Sequence, residues 1–336
     1  MTSTNSTTIS VLGAGAWGTT LAILLARNHH PVRLWGHDAH HMGMLAQQRI
    51  NSKYLPDIPF PESLEVTADL RDAITAAGVI LIAVPSAGFC GLLDQLAPAL
   101  HPGTRLAWAT KGLEPRTGRL LHQAVGDRFG GVDTAVISGP TFAREVAAGL
   151  PTAVTVASAS EAYAVQLAQW LHNSRFRAYT SSDIIGVQLG GAIKNVLAVA
   201  AGIADGLGYG SNTRAALITR GLAEMTRLGL AMGGHRDTFS GLAGLGDLLL
   251  TCTDNQSRNR RFGLYLGQGK DINAAVKNVG QLVEGLPTTR EVHRLAAETD
   301  TEMPITEQVY RVLFEDRSPL AAVDDLLNRQ LKSEEQ

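Results

Sequence analysis

The chain has 336 residues, a length that predicts two domains at roughly 150 residues per domain. Its 29 lysines and arginines against 31 aspartates and glutamates leave no basic surplus of the kind that nucleic-acid binders use to neutralise phosphates. The two cysteines, Cys90 and Cys252, lie far apart in no CxxC or CxxH pattern, which argues against a disulfide framework or a thiolate zinc site and favours the reducing cytoplasm.

Short apolar runs alternate with helical patterns in the first half of the chain, as in β-α-β units that build a mostly parallel sheet. A segment at 54–61 is predicted as a loop, and the sequence from Ser158 to Glu161 as a capping box. Strands are predicted at residues 8–12, 32–35, 64–67, 79–84, 106–109, 134–138, 154–157 and 176–179, and helices at 17–28, 38–48 and 161–171.

Beyond about residue 180 the strand patterns stop and only helices are predicted, with a loop at 257–261 and a frayed tail after Asn328. The longest apolar segment, 184–207, is interrupted by polar residues, and the N-terminal residues lack the pattern of a signal peptide, so we expect no membrane insertion. The predicted helices are 184–204, 213–230, 272–279, 288–298 and 306–314.

These patterns predict an α/β protein with a Rossmann-like doubly wound sheet over residues 1–182 and an all-helical domain over 183–336. The glycine pattern GAGAWG at 13–18 follows the first strand and opens the first helix. In that context Gly13 permits a tight turn, Gly15 lets the backbone approach a pyrophosphate, and Gly18 lets the helix pack on the sheet. The pattern favours dinucleotide binding over a turn that binds nothing.

The end of the second strand bears on which dinucleotide binds. Gly36 occupies the place where an NAD site usually carries an acid, and Asp38 follows two residues later. Arg33 and His37 could face a 2′-phosphate, which favours NADPH or mixed use, although all of these could be ordinary turn residues.

Lys194 and Asn195 lie inside a helix that is apolar on nearly every side. Burying an unpaired ammonium costs several kcal/mol, so this lysine needs a partner or a role in proton transfer, unless its side chain reaches water at the helix edge. Asp247 is a candidate partner, although it could instead cap the start of a helix at 248–253.

Two further segments are suited to a phosphorylated substrate. Lys111 follows a strand of the nucleotide-binding domain, where ligands bind in open α/β sheets, or is a solvated turn residue. The segment SRNRR at 257–261 groups donors for an anion, or is a solvated basic surface.

Nine motifs occur together along nearly the whole chain: GAGAWGT (13–19), LWGHD (34–38), NSKYLPDIPFP (51–61), ATKGLE (109–114), SGPTFAREV (138–146), GAIKNVLAVAAG (191–202), LAGLGDLLLTC (242–252), SRNRRFG (257–263) and VEG (283–285). In this combination they resemble the bacterial type of NAD(P)-dependent glycerol-3-phosphate dehydrogenase.

The resemblance implies a cytoplasmic homodimer that reversibly reduces dihydroxyacetone phosphate to sn-glycerol 3-phosphate for phospholipid synthesis, with NADP or NAD and no metal. Lys194 would transfer the proton, Lys111 would polarise the carbonyl, and Asp247 would assist as a third catalytic residue. The implied substrate-binding residues are Lys111, Gly139, Thr141, Lys194, Asn195, Asp247, Ser257, Arg258 and Asn259. The implied cofactor-binding residues are Gly13, Gly15, Ala16, Trp17, Gly18, His37, Tyr54, Lys111, Ala143, Arg258, Leu282 and Glu284. Many relatives carry serine at position 16, where a backbone contact would make the change to alanine unimportant.

Two other functions remain open at this point. Another dehydrogenase with a Rossmann domain and a helical domain, of the 3-hydroxyacid or 6-phosphogluconate type, would share the architecture and a helix lysine, but SRNRR and LAGLGD argue against it. A non-catalytic nucleotide sensor would leave Lys111, Lys194 and Asp247 without roles.

Overall fold

The computed structural model describes residues 7–330 and residue 333. The chain separates into two compact units, each described here by itself. The first consists of residues up to Glu114 together with Arg119–Gln188, and the second of residues from Leu189 onward together with Pro115–Gly118.

The first unit is built of alternating strands and helices. Its strands are β1 (Thr8–Leu12), β2 (Val32–Trp35), β3 (Ile50–Asn51), β4 (Leu55–Pro59), β5 (Leu64–Thr67), β6 (Ala77–Ile82), β7 (Arg105–Trp108), β8 (Thr134–Ser138), β9 (Thr152–Ala157) and β10 (Phe176–Ser181). Its helices are α1 (Ala16–Arg27), α2 (Ala39–Gln48), α3 (Leu70–Ile74), α4 (Ser86–Leu96), α5 (Leu121–Phe129), α6 (Ala143–Ala147) and α7 (Glu161–Leu171).

Eight strands form one sheet in the order β10-β9-β8-β7-β6-β1-β2-β5. All neighbours are parallel except β8 and β9, which are antiparallel. Because the chain leaves β1 toward β2 on one side and later returns to β6 on the other, the order reverses beside β1. This confirms the predicted doubly wound fold and places the usual ligand crevice at the carboxyl ends of β1 and β6.

Near-continuous apolar runs form the central strands, as expected for a parallel sheet covered on both faces. Val79, Ile80, Leu81 and Ile82 of β6 are all fully buried. The strand bounds lie within two residues of those expected from the sequence.

Two local predictions in the first unit are wrong. The segment expected as a loop at 54–61 contains β4, which pairs with β3 in an antiparallel hairpin. A two-stranded hairpin tolerates the prolines because both of its strands are edges, and buried Leu55 and Phe60 anchor it. The capping residue of α7 is Ser160, not Ser158: the Ser160 hydroxyl accepts the Tyr163 N–H, while the Ser158 hydroxyl donates to a carbonyl of β8.

The second unit is helical throughout the part of it that the structure describes. The long helix α8 (Ile184–Gly206) enters it from the first unit. The other helices are α9 (Ser211–Ala231), α10 (Arg236–Ser240), α11 (Asp247–Thr253), α12 (Arg258–Gly267), α13 (Ile272–Val279), α14 (Gly285–Glu298), α15 (Pro304–Phe314) and α16 (Pro319–Leu327). The tail predicted to fray after Asn328 lies partly outside the described residues.

Helix α8 is long and apolar enough to cross a membrane by composition, but 89% of its most apolar window is buried inside the protein. That is typical of a core helix. A single π turn, Leu242–Gly246, precedes α11, and π turns are frequent at functional sites.

Candidate active site

The glycine turn after β1 has the geometry that a dinucleotide requires. Gly13 has φ +126°, and a Cβ there would lie 2.8 Å from the backbone of Ala83 at the end of β6. A Cβ on Gly18 would overlap the Gly13 carbonyl, whereas Gly15 faces open space. The backbone is therefore closely packed on the protein side and open on the side where a pyrophosphate would approach.

Helix α1 begins in this turn with its first N–H groups available. Its N-cap is Gly15, which supplies no side-chain hydrogen bond, and its first turn carries no acidic residue. The buried indole Nε1 of Trp17 also has no hydrogen-bond partner among the described residues. Uncapped N–H groups and the positive end of the helix dipole suit the phosphates of NAD(P).

Asn51 supports this turn from β3. Its fully buried side chain donates to the Ala14 carbonyl, at 3.1 Å, and to the Thr19 hydroxyl, at 2.8 Å. Sequence reasoning did not assign Asn51 a role. The signal available was its position at the start of the motif NSKYLPDIPFP, but its function depends on contacts with residues distant in the chain.

At the end of β2, where an NAD site usually carries an acid, Gly36 packs closely against two side chains. A Cβ on Gly36 would lie 2.6 Å from the Met42 sulfur and 3.0 Å from the Ala14 Cβ. Asp38 is the N-cap of α2 and accepts the His41 N–H at 3.0 Å. Arg33, expected to face a 2′-phosphate, forms ion pairs with Glu65 of β5 and Asp72 of α3. His37, the other residue expected there, is exposed.

Lys111, Gly139 and Thr141 come together beyond the carboxyl ends of β7 and β8. The Lys111 ammonium donates to the Gly139 carbonyl at 2.8 Å and to the Thr141 hydroxyl at 3.4 Å. Gly139 has φ +143°, and a Cβ there would lie 3.1 Å from the Val154 Cα. These contacts hold the lysine at the ligand edge of the sheet, so it is not a merely solvated turn residue.

Two further predicted residues of the first unit, Ala143 and Tyr54, have defined contacts. Ala143 begins α6, and its carbonyl accepts the Thr20 hydroxyl of α1 at 3.0 Å. Tyr54 is partly buried, and its ring meets the His41 ring edge-on with centroids 6.0 Å apart.

In the second unit Lys194 is buried in α8 and paired. Its ammonium lies 2.5 Å from an Asp247 carboxylate oxygen and donates to the Thr251 hydroxyl at 3.0 Å. The Lys194 side chain is 10% exposed and that of Asp247 1% exposed. The alternative of a lysine that reaches water is therefore wrong, and Asp247 pairs with it instead of capping α11.

A glycine brings α8 close to the turn that carries Asp247. A Cβ on Gly190 would overlap the Ala243 carbonyl of the π turn, so only glycine allows this approach. Thr251 lies one turn after Asp247 on α11, and its hydroxyl also donates to the carboxylate at 3.4 Å. The spacing of four residues from Asp247 pointed to Thr251, but Thr251 was not among the predicted site residues.

Cys252 lies next to this cluster and takes no part as a nucleophile. Complete burial raises the pKa of the Cys252 thiol to about 12. The thiol is therefore neutral at physiological pH.

Asn195 and Asn259 form a second buried cluster next to Lys194. The Asn195 side-chain oxygen accepts the Asn259 amide at 2.8 Å, and the Asn259 oxygen accepts the Gly285 N–H at 2.9 Å. The amide nitrogen of Asn195 is buried without a partner among the described residues. An unpaired buried donor costs free energy, so a ligand acceptor at this place would be favourable. Leu282 and Glu284 precede Gly285 in the chain, and Leu282 is 48% exposed.

The segment 257–261, expected as a loop, is the start of α12. The Ser257 hydroxyl caps the helix by accepting the Arg260 N–H at 3.2 Å. Arg258, in the first turn, is partly exposed and forms no ion pair among the described residues. The helix start adds N–H groups to the donors that this segment offers an anion.

Among residues 7–330 and 333, no group of histidine, cysteine, aspartate and glutamate side chains is arranged to hold a metal ion.

Family models match both halves of the chain. The N-terminal model of NAD-dependent glycerol-3-phosphate dehydrogenase covers residues 8–164, and the C-terminal model of the same enzyme covers residues 183–324. The chain belongs to the NAD-dependent glycerol-3-phosphate dehydrogenase family. The resemblance seen in the sequence motifs is therefore confirmed, and with it the oxidoreductase class and the use of a nicotinamide dinucleotide.

Individual members of this glycerol-3-phosphate dehydrogenase family agree over the full length. A glycerol-3-phosphate dehydrogenase [NAD(P)+] from Aeromonas hydrophila is 58% identical over 97% of this chain and 98% of its own. The crystal structure of the enzyme from Coxiella burnetii superposes with a TM-score of 0.94 at 51% identity, covering 96% of this chain and 99% of that one. The enzyme from Saccharomyces cerevisiae gives a TM-score of 0.82 at 27% identity, over 96% and 99%.

A D-mandelate dehydrogenase with a TM-score of 0.64 and 13% identity shares the fold alone. The glycerol-3-phosphate dehydrogenases are, by contrast, related to this chain in sequence as well as in fold.

Proposed function

We propose that this chain reversibly reduces dihydroxyacetone phosphate to sn-glycerol 3-phosphate with NAD(P)H, in the cytoplasm and as a homodimer, and so supplies glycerophospholipid synthesis. The observation that carries the proposal is the buried cluster of Lys194, Asp247 and Thr251, in which an ammonium lies 2.5 Å from a carboxylate inside an apolar helix bundle. A buried ion pair is a costly feature that hydrophobic residues could replace, so a chemical role explains its presence.

Lys194 is the proton donor in this proposal. A nicotinamide dinucleotide held by the glycine turn would supply the hydride for the ketone carbon, and negative charge would then develop on the carbonyl oxygen. A fixed ammonium stabilises that charge and then transfers its proton to the oxygen. Asp247 and Thr251 hold the ammonium in one orientation, so little reorganisation is needed during reaction.

Lys111 is the second cation that we assign to the carbonyl. Its ammonium is held by the Gly139 carbonyl and the Thr141 hydroxyl at the carboxyl ends of the strands, where open α/β sheets bind their ligands. We assign Gly139 and Thr141 to the substrate through this arrangement.

The substrate phosphate is assigned to the start of α12 and to Asn195. Arg258 provides a guanidinium without an ion pair among the described residues, Ser257 and Asn259 flank it, and the buried Asn195 amide nitrogen provides an N–H. Guanidinium and amide donors together match the geometry of a phosphate.

The cofactor is assigned to the glycine turn, with Ala16 and Trp17 binding pyrophosphate through the backbone of α1. His37, Tyr54, Ala143, Leu282 and Glu284 are assigned to the rest of the dinucleotide, together with Lys111 and Arg258. We propose a preference for NADPH, because Gly36 stands where an acid would bind the ribose hydroxyls of NAD and would repel a 2′-phosphate.

Steady-state kinetics with purified protein test both parts of the proposal. Oxidation of NADPH is followed with dihydroxyacetone phosphate and, as a panel, with 3-oxoacids, 2-oxoacids and 6-phosphogluconate in the reverse direction. We expect turnover with dihydroxyacetone phosphate alone; turnover with another member of the panel and none with dihydroxyacetone phosphate refutes the proposed function. The ratio of kcat/KM for NADPH and NADH, with His37→Ala as a variant, tests the cofactor preference.

A further inference from the structure

Helices α8 and α12 pack with their backbones in direct contact. Gly202 and Gly206 on α8 face Gly263 and Gly267 on α12. A Cβ on any of the four would overlap a backbone carbonyl of the opposite helix. Residues four apart lie on one face of a helix, so each helix presents a glycine groove to the other. This packing fixes the distance between the helix of Lys194 and the helix that begins at Arg258.

Two polar contacts join the same helices. Asn195 binds Asn259, as described above, and farther along α8 Asp205 binds Arg260. The Arg260 guanidinium lies 2.5 Å from one Asp205 oxygen, and the side chains are 9% and 7% exposed. Arg214 of α9 donates to the other oxygen at 2.7 Å and 3.0 Å, so both Asp205 oxygens are occupied.

The two arginines in the first turn of α12, Arg258 and Arg260, differ in their contacts. Arg260 is buried and donates hydrogen bonds to the Asp205 and Asn255 side chains. Arg258, one half-turn earlier, is left for a ligand. By holding Arg260, the Asp205 carboxylate fixes the rotation of the first turn of α12 about its axis and its position along α8. It thereby fixes the orientation of the Arg258 and Asn259 side chains.

We infer that Asp205 is a positioning residue for the substrate phosphate: through Arg260 it fixes the first turn of α12 against the Lys194 helix. The inference rests on the proposed function and deepens it. Lys194 and Asp205 belong to one rigid helix, so the proton donor and the phosphate donors are held at a constant separation. Asp205 acts through Arg260 and does not itself touch the substrate.

The test compares phosphorylated and unphosphorylated substrates. Asp205→Asn is assayed with dihydroxyacetone phosphate and, at high enzyme concentration, with dihydroxyacetone, both with saturating NADPH. Misplacing the phosphate donors should raise KM for dihydroxyacetone phosphate by roughly 10- to 100-fold. The value of kcat/KM for dihydroxyacetone should stay unchanged. Asp324→Asn, at an exposed position of α16, is the matched control and should behave as the wild type.

Equal losses with both substrates would show that Asp205 has only a structural role and would overturn the inference, as would unchanged kinetics with both. Arg214→Gln, which removes one of the two arginine partners, should give the same substrate-specific change at smaller size, and it carries the test if Asp205→Asn does not fold. A wild-type enzyme that does not reduce dihydroxyacetone phosphate at all would instead refute the proposed function.

Discussion

Lys194 and Asp247 should be energetically coupled, because the two side chains form an ion pair and both are buried. Asp247→Leu leaves an ammonium that is only 10% exposed without its carboxylate, and Lys194→Met leaves a carboxylate that is 1% exposed without its ammonium. Either change should lower the free energy of unfolding by about 3–5 kcal/mol, the cost of an unpaired buried charge. The double variant leaves no buried charge at this place, and well-packed apolar replacements of a buried pair are often close to neutral.

Thermal unfolding followed by circular dichroism measures this coupling. At roughly 2–4 °C per kcal/mol for a unit of this size, each single variant should unfold about 6–20 °C below the wild type. The double variant should be more stable than the sum of the two single effects by about 3 kcal/mol or more. If the effects of the single variants add to within about 0.5 kcal/mol, the two groups do not interact and the reasoning is refuted.

Three further predictions concern other parts of the chain. Burial raises the pKa of the Glu224 carboxyl to about 7, although the carboxylate accepts the N–H groups of Ile305 and Thr306. The native state therefore binds more protons than the unfolded state between about pH 4.5 and pH 7. The free energy of unfolding of the wild type should therefore fall by roughly 3 kcal/mol, through this group, as pH rises across that range. Urea titrations should show that Glu224→Gln lacks this part of the pH dependence. An identical pH dependence in the variant would contradict the assignment. Lys111→Met should lower kcat/KM for dihydroxyacetone phosphate by about 10²- to 10³-fold, and a change below about threefold would exclude Lys111 from the reaction. Asn51→Ala should raise the KM for NADPH by about tenfold with little change in the KM for dihydroxyacetone phosphate, because the glycine turn loses its support; an equal rise in both would argue for a general loss of structure.

Features that depend on local chemistry could be predicted from the sequence. The glycine turn is an example, because a tight turn and close backbone approach leave few residue choices at Gly13 and Gly18. Lys194 could also be singled out, because it is a charged residue in an otherwise apolar helical segment. Its partner Asp247 could only be offered as a candidate, since the pairing depends on how a distant π turn packs against α8.

Features that depend on tertiary contacts were missed. The start of α12 reads as a polar loop because its first residues are Arg, Asn, Arg and Arg. The helix forms there because Ser257 caps it and because Gly263 and Gly267 pack against α8. Asn51 shares this limitation, since its hydrogen bonds reach Ala14 and Thr19 from another part of the chain.

The central claim is that Lys194 transfers the proton in the reduction of dihydroxyacetone phosphate. The most direct test is single-turnover reduction by Lys194→Met, together with its affinity for NADPH measured by fluorescence titration. We expect the rate of reduction to fall by about 10²- to 10⁴-fold while the Kd for NADPH stays within about twofold of the wild type. A variant that binds NADPH normally and reduces dihydroxyacetone phosphate at the wild-type rate would contradict it.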